Sequence, residues 1–459
     1  MDASKLRRSM RLSITEGALA TAMGTLLSGV FLTGFALSLG ASSLEIGILA
    51  ALPALSHVAQ IGGSFLLERG APRKRLCVGS LAVSRVLWLP LLLFAALGTT
   101  MQGHGLVWAL IALSATASAA SALGGVAWLS WIRDLIPGNQ RIGFLALRNQ
   151  FDTVLAVSLS IVAAAFVDWS AISGLGSFAG YAVVFGAAIV CGLMGILLLG
   201  AIPDEDRLPE SRARFGELLL APLREANFRR LLGFYSGWYL SVNLAAPFFA
   251  VFMLVDLRIP LWQVTVLQTM SSIVGLMATR FWSRLSQQFG AKPVIFVASL
   301  GEAFFPFWWL FVTPHSTWAL PLIFLSGIFS SPLATGPNNL LLSIAPAKNA
   351  SPYMALFSAI VGPITALAAI AGGYCAEALG EGVSSGMFSL SALKLVFLLS
   401  FLGRLASLIC LRRVHEPGAS SIWCVARVFD ARRFRLPNRN RQRAPISAEV
   451  ADPSPQQAA

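Results

Sequence analysis

The segment SFLLERGAPRKR, residues 64–75, laid over SRLSQQFGAKP, residues 283–293, decides how this chain is organised. Ser64 falls on Ser283, Leu66 on Leu285, Glu68 on Gln287 and Arg73 on Lys292. Each segment is a short basic break between long apolar runs, in a 459-residue chain that is 56% hydrophobic and only 12% charged. Ordinary soluble domains are roughly 45–50% apolar, so charge this sparse and this clustered marks loops between membrane-crossing helices. Runs of about 20 apolar residues cross a hydrocarbon core of about 30 Å as helices. These runs are too continuous for barrel strands of about 10 alternating residues.

Reading apolar runs against polar breaks predicts twelve spans, near 17–40, 44–67, 76–98, 105–131, 144–168, 177–201, 231–254, 261–283, 293–313, 318–341, 353–376 and 388–411. Lys and Arg gather on alternate loops: Arg69, Arg73, Lys74 and Arg75, then Arg133 and Arg141, then the 202–230 stretch, then Arg280, Arg284 and Lys292. Positive loops stay on the cytoplasmic side, which predicts an inner-membrane protein with both termini cytoplasmic. The net charge of +13 lies in these loops and the two tails, a distribution that suits anionic lipids and not nucleic acid. The basic head MDASKLRRSM resembles the start of a secretory signal, but the apolar run after it, Gly17 to Gly40, is too long for one.

The expected organisation is a cytoplasmic segment over 1–15, a six-helix bundle over 16–201, a cytoplasmic loop over 202–230, a second six-helix bundle over 231–412, and a basic, partly disordered tail over 413–459. Part of the 202–230 loop and the stretch SSIWCVARVFDARRFRL in the tail have the periodicity of surface-lying amphipathic helices. A second internal match sets RDLIPGNQRIGF (133–144) on LSIAPAKNASPY (342–353), aligning Pro137 with Pro346. Self-similarity at equivalent places in two halves is the mark of a transporter built from related bundles.

With these loops the chain resembles the major facilitator superfamily, whose loop between the second and third helices reads Gly-x-x-x-Asp-Arg-x-Gly-Arg-Lys. Glu68 stands for the acidic residue and Arg69 and Arg73 for the basic ones, while Ser64 and Ala71 replace the glycines. In the second half Gly290 and Lys292 fit, and Gln287 and Gln288 replace the charged pair. The resemblance implies an all-α membrane protein of two pseudo-symmetric six-helix bundles that rock about a central site. It also implies that Glu68 and Arg69, in a motif that Arg73 completes, make charge-linked contacts that differ between two packings; the plainer reading is that these charges only set topology, the main role expected of Arg73, Lys74 and Arg75. The Gly-Pro-rich fifth-helix motif of drug antiporters in that superfamily has no counterpart in residues 151–169.

Ionisable residues at membrane depth need partners. At 1.5 Å per residue, Arg85, Asp152, Glu302 and Arg404 lie about 12–14 Å from the nearest basic loop. Arg148 and Asp152 are spaced to meet on one helical face, and either substrate or proton chemistry or a fixed pair suits them. Glu302 and Arg404 are expected to form a structural pair, and Arg85 has no evident partner. Tyr235, Tyr239 and Asn243 form a polar-tipped stripe on the seventh span, as Ser114 and Ser118 do on the fourth. Gln268, Asn338 and Asn339 complete the substrate-cavity candidates, against the plainer readings of packed tyrosines and close helix approach.

The scattered histidines and cysteines carry no metal-ligand spacing, no phosphate-binding loop is present, and neither cofactor nor enzymatic chemistry is expected. The expected function is secondary transport of a small organic solute, coupled to a proton or sodium gradient, by a monomer in contact with anionic lipids. The alternative is a transport-inactive sensor or scaffold that acts through its basic tail; removing residues 414–459 separates the two.

Overall fold

Twelve helices long and apolar enough to cross a membrane follow one another in the computed structural model, which describes residues 3–97, 103–203, 221–344, 350–380, 383–385, 388–416, 418–421 and 425. They are Leu6–Ser38, Ser43–Leu67, Arg73–Leu97, His104–Ile132, Gly143–Ile172, Ser177–Gly200, Ala226–Asp256, Leu261–Phe289, Ala291–Phe311, Thr317–Leu341, Leu356–Ala378 and Ala392–Arg412. The amphipathic stretches expected in the 202–230 loop and the tail fall mostly outside the described residues.

The first span differs from expectation at both ends. Its helix runs back to Ala3, because the good helix formers of ASKLRRSMRL continue the apolar run without a breaker. It then ends at Leu26, and a second segment, Gly29–Ser38, starts after Ser28. Gly29 has φ +56°, a left-handed conformation that glycine adopts without a Cβ clash. The twelfth span begins at Ala392, later than expected, because Val383–Ser385 and Phe388–Leu390 pair as an antiparallel hairpin.

The two quoted loops are built alike. Gly70 and Gly290 both take positive φ, +87° and +95°. Lys74 Nζ donates to the carbonyl of Ile202, just past the sixth span, at 2.7 Å, and Lys292 Nζ donates to the carbonyl of Arg412, at the end of the twelfth, at 3.2 Å. Each lysine ties the third helix of its half to the C-terminus of the sixth, where a cation is favoured.

The core is distributed unevenly along the membrane normal. At the end of the bundle opposite the termini a single apolar cluster takes in both halves, including Phe31, Phe35 and Phe185 together with Phe248, Phe249, Trp309 and Phe397. Toward the termini it divides into an N-terminal cluster around Cys77, Trp131 and Phe144 and a C-terminal one around Phe228, Trp282 and Leu411. Among the described residues the halves share one large apolar cluster at one end and keep separate ones at the other, with a small joint cluster of Ala51, Ala366 and Ala369 between the second and eleventh spans.

The chain after the twelfth span packs back onto the second bundle. Glu416 accepts the backbone N–H groups of Ala291 and Lys292 at 3.1 and 2.7 Å, capping the ninth span, and Ser420 N donates to Phe289 O at 2.8 Å. A truncation that spares the bundle must therefore begin beyond Val425, which is fully buried, and not at residue 414.

Candidate functional site: a hydroxyl-lined cavity between the halves

A cavity of about 310 Å³ opens where the break in the first span faces the fifth and eighth spans. Thr25, Ser28, Gly29, Val30 and Phe31 come from the break, Ala156, Val157 and Ser160 from the fifth span, and Thr265, Gln268, Thr269 and Ser272 from the eighth. A discontinuous helix at membrane depth is tolerated where it lines such a cavity. The eighth span shows why its residues face as they do. Thr265, Gln268, Thr269 and Ser272 recur at helical spacing on one side, while Trp262, Val266, Ile273 and Met277 are exposed on the lipid side.

Beneath the cavity, toward the termini, lies a cluster of four charged residues. Arg148 Nη2 is 3.2 Å from Glu16 Oε2, and its Nε is 3.7 Å from Asp152 Oδ2. Arg148 Nη1 donates to the carbonyl and the hydroxyl of Ser13, both at 3.1 Å, and the guanidinium lies 4.4 Å from the Trp128 ring centroid. Gly17 makes this possible, since a Cβ there would stand 2.5 Å from Arg148 Nε. Arg85 reaches the same region from the third span, close enough for its charge to act on Glu16. Two cations and two carboxylates leave the cluster formally neutral, as burial requires. Asp152 Oδ1 and Arg85 Nε nevertheless have no hydrogen-bond partner. Asp152 stands one helical turn below Ala156 and two below Ser160, on the fifth span's cavity-facing stripe.

The second half carries a smaller counterpart. Arg404, 2% exposed, donates from Nη1 to the Glu302 carbonyl at 2.8 Å and lies 3.9 Å from Glu302 Oε1. Its guanidinium also lies 5.9 Å from the Trp238 ring centroid.

The other sequence candidates are dispersed. Tyr235 is buried in the second half's core, stacked at 6.1 Å on Tyr239 and edge-on to Phe357, so in this state it lines no part of the cavity. Aromatic packing outweighs the polar tip there, and its hydroxyl has no partner. Asn243 donates to the Tyr239 carbonyl at 2.8 Å along its own helix. Ser114 is buried, Ser118 half-buried, and Asn339 lines a separate water-sized void of about 30 Å³. Arg69 lies over the Phe65 ring at 4.2 Å, and Arg73 opens the helix of the third span. The side chains of Glu68 and Asn338 lie outside the described residues.

Among the substrate candidates whose side chains are described, Gln268 alone lines this cavity; Glu16 and the hydroxyls around Gln268 were missed. The stretch TVLQTMSS already shows a polar stripe at helical spacing, and SG at 28–29 marks a breaker pair inside an apolar run. Among the described residues no three His, Cys, Asp or Glu side chains converge as metal ligands.

At the fused end two carboxylates cross between the halves. Asp168, near the end of the fifth span, accepts the N–H groups of Leu261 and Trp262 at 3.2 and 2.7 Å, where the eighth span starts. Glu377, at the end of the eleventh, accepts the N–H of Leu44 at 3.2 Å, where the second span starts. Advancing the helix count by six turns one contact into the other. Between described residues these are the hydrogen bonds that join the halves, and each places an anion at a helix N-terminus. Beside Glu377 the second and eleventh spans meet backbone to backbone: a Cβ on Gly47 would stand 2.5 Å from the Ala369 carbonyl oxygen, and one on Gly373 2.5 Å from that of Ser43.

No sequence among the curated proteins matches the chain. Solved structures do. A variant of the nucleoside transporter NupG superposes with TM-score 0.68 at 12% identity, covering 88% of this chain and all of that one. A bacterial homologue of the iron transporter ferroportin in its inward-facing state gives TM-score 0.69 at 14% identity, over 90% of this chain and 99% of that one. The same homologue in its outward-facing state gives 0.51 at 15% identity, over 89% and 99%. Residues 231–423 match the sequence model of the Major Facilitator Superfamily. The chain is thus a multi-pass membrane protein with the major facilitator transporter fold, and its second half carries that superfamily's sequence pattern.

Proposed function

We propose that the protein is a secondary transporter that moves a small organic solute across the cytoplasmic membrane by alternating access. The observation that carries this is the seam itself, which bears an open hydroxyl-lined cavity, shares one large core at one end and has two separate cores at the other. Lys and Arg on the loops at the split end make that end cytoplasmic, so the state described is inward-facing. The higher similarity to the inward-facing ferroportin homologue, 0.69 against 0.51, supports the same assignment.

Asp152 and Glu16 are the proposed coupling groups. Asp152 stands on the cavity-facing stripe and shares Arg148 with Glu16. A proton or sodium ion at Asp152 weakens its hold on Arg148, and a change in that pair is what biases a two-state packing.

The test uses single cysteines at Ser160 and Ser272 in a chain whose five native cysteines are replaced. A membrane-impermeant thiol reagent is expected to modify both from the cytoplasmic face, and from the outer face once an opposing ion gradient is imposed. Labelling from one face only, under every gradient, overturns alternating access. Asp152→Asn is expected to abolish the gradient's effect on labelling; an unchanged response removes Asp152 from coupling.

A further inference from the structure

The hydrogens of the cavity hydroxyls are largely committed. Ser28 Oγ donates to Gly24 O at 2.6 Å, Ser160 Oγ to Val157 O at 2.9 Å, Thr265 Oγ1 to Leu261 O at 2.9 Å and Ser272 Oγ to Gln268 O at 3.0 Å. A hydroxyl has one proton to give and two lone pairs to receive with. Four of the six lining hydroxyls, the others being Thr25 and Thr269, therefore offer the cavity acceptors only. Gln268 supplies the side-chain amide, with donors as well as an acceptor.

Charge is absent from this wall: none of the twelve lining residues is ionisable at neutral pH. The nearest carboxylate on the fifth span's stripe, Asp152, lies outside this lining beside Arg148, where it is the proposed ion site and not a contact for the solute. A charged solute would exchange its hydration for a wall without a counter-ion, and an apolar one would strand several acceptors away from water. Both are penalised by the same surface.

We infer that the cavity selects an uncharged solute dense in O–H or N–H donors, of sugar, polyol or nucleoside size; this rests on the transport reading above and specifies its cargo. The donors of such a solute meet the lone pairs of Ser160, Thr265 and Ser272, and Gln268 satisfies one ring or carbonyl oxygen in return. Methylating the solute's hydroxyls removes its donors and keeps it neutral, with one carbon added at each blocked donor.

The experiment measures thermal stabilisation of the purified full chain, and flux into proteoliposomes, with D-glucose, myo-inositol and uridine, their permethylated forms, and lactate, choline and tetraphenylphosphonium. At least one of the three neutral donors is expected to stabilise the protein and to cross, its permethylated form binding at least tenfold more weakly. Gln268→Leu and, separately, the smaller Ser272→Ala are expected to weaken that solute at least tenfold and threefold, with gel-filtration profiles unchanged. Flux of a charged probe without any neutral one, or equal handling of a permethylated form, overturns the cargo class and leaves transport standing. Binding of a neutral donor that never crosses the bilayer overturns transport and leaves the class standing. Neither binding nor flux of any neutral donor, together with no flux of any charged probe, overturns both.

Discussion

The two ends of the bundle are held by different physics. At the end opposite the termini, proposed above to be the outer one, the halves share one apolar core, two carboxylate caps and a glycine-lined backbone contact between the second and eleventh spans. At the inner end each half keeps its own core and its own buried charges, Glu16, Arg85, Arg148 and Asp152 in the first, Glu302 and Arg404 in the second. The outer contacts are many, small and separable, which suits a joint that opens. The inner charges are internal to each half, which suits bodies that move whole.

The largest expected effect strikes an inner cluster. Arg148→Leu strips the buried Glu16 and the half-buried Asp152 of their shared cation, and breaking a buried pair in this way costs about 3–5 kcal/mol. The thermal midpoint in detergent is expected to fall steeply, and a second substitution, Asp152→Asn, is expected to restore part of it. An Arg148→Leu protein as stable as the parent would mean that the first half does not depend on its cluster.

Next comes the outer contact. Gly373→Val places a Cβ 2.5 Å from the Ser43 carbonyl oxygen, and overpacking of that kind costs about 1–3 kcal/mol. Because the strain falls between the halves, spin-label distances across the outer end are expected to lengthen while those within each half stay constant. Changes confined to one half would contradict the division drawn here.

The double substitution Asp168→Ala/Glu377→Ala is milder, about 1 kcal/mol for each cap, since Glu377 is exposed and Asp168 only half-buried. Outer-face labelling of a cysteine at Ser272 is expected to rise about tenfold, with either single variant intermediate. No change in labelling would make the caps incidental to closure.

The smallest effect lies at the inner end of the second half. Burial, together with the Glu225 carboxylate that accepts its hydrogen bond, pushes the Tyr353 phenol up to about 12. A raised phenol keeps its contribution whole below the ordinary value near 10 and loses it as pH climbs toward 12. Melting curves of wild type and Tyr353→Phe are expected to differ slightly at pH 8 and to converge progressively from pH 10 toward pH 12. A constant difference would assign the contribution to packing instead.

Much of the architecture could be read from composition because a bilayer restricts the choices so severely: a long apolar run must be a helix. The internal repeat proved firmer in geometry than in letters. Alignment set Arg73 on Lys292, whereas the matching carbonyl contacts belong to Lys74 and Lys292. Partners distant in sequence were harder to see. Glu16 lies among the basic residues of the first span and gave no sign that Arg148, from the fifth, would reach it through the space left by Gly17. Tyr235 shows the reverse, a residue whose polar tip advertised a cavity and whose ring went to the core.

From the amino-acid order alone came the twelve crossings, the two related halves and the side on which positive charge collects, since each follows from local hydropathy and loop charge. Only the tertiary structure decided which end is closed, which hydroxyls face one another and which buried charges share a partner. Those outcomes depend on how helices from opposite halves meet across the seam, and no window of neighbouring residues contains that information.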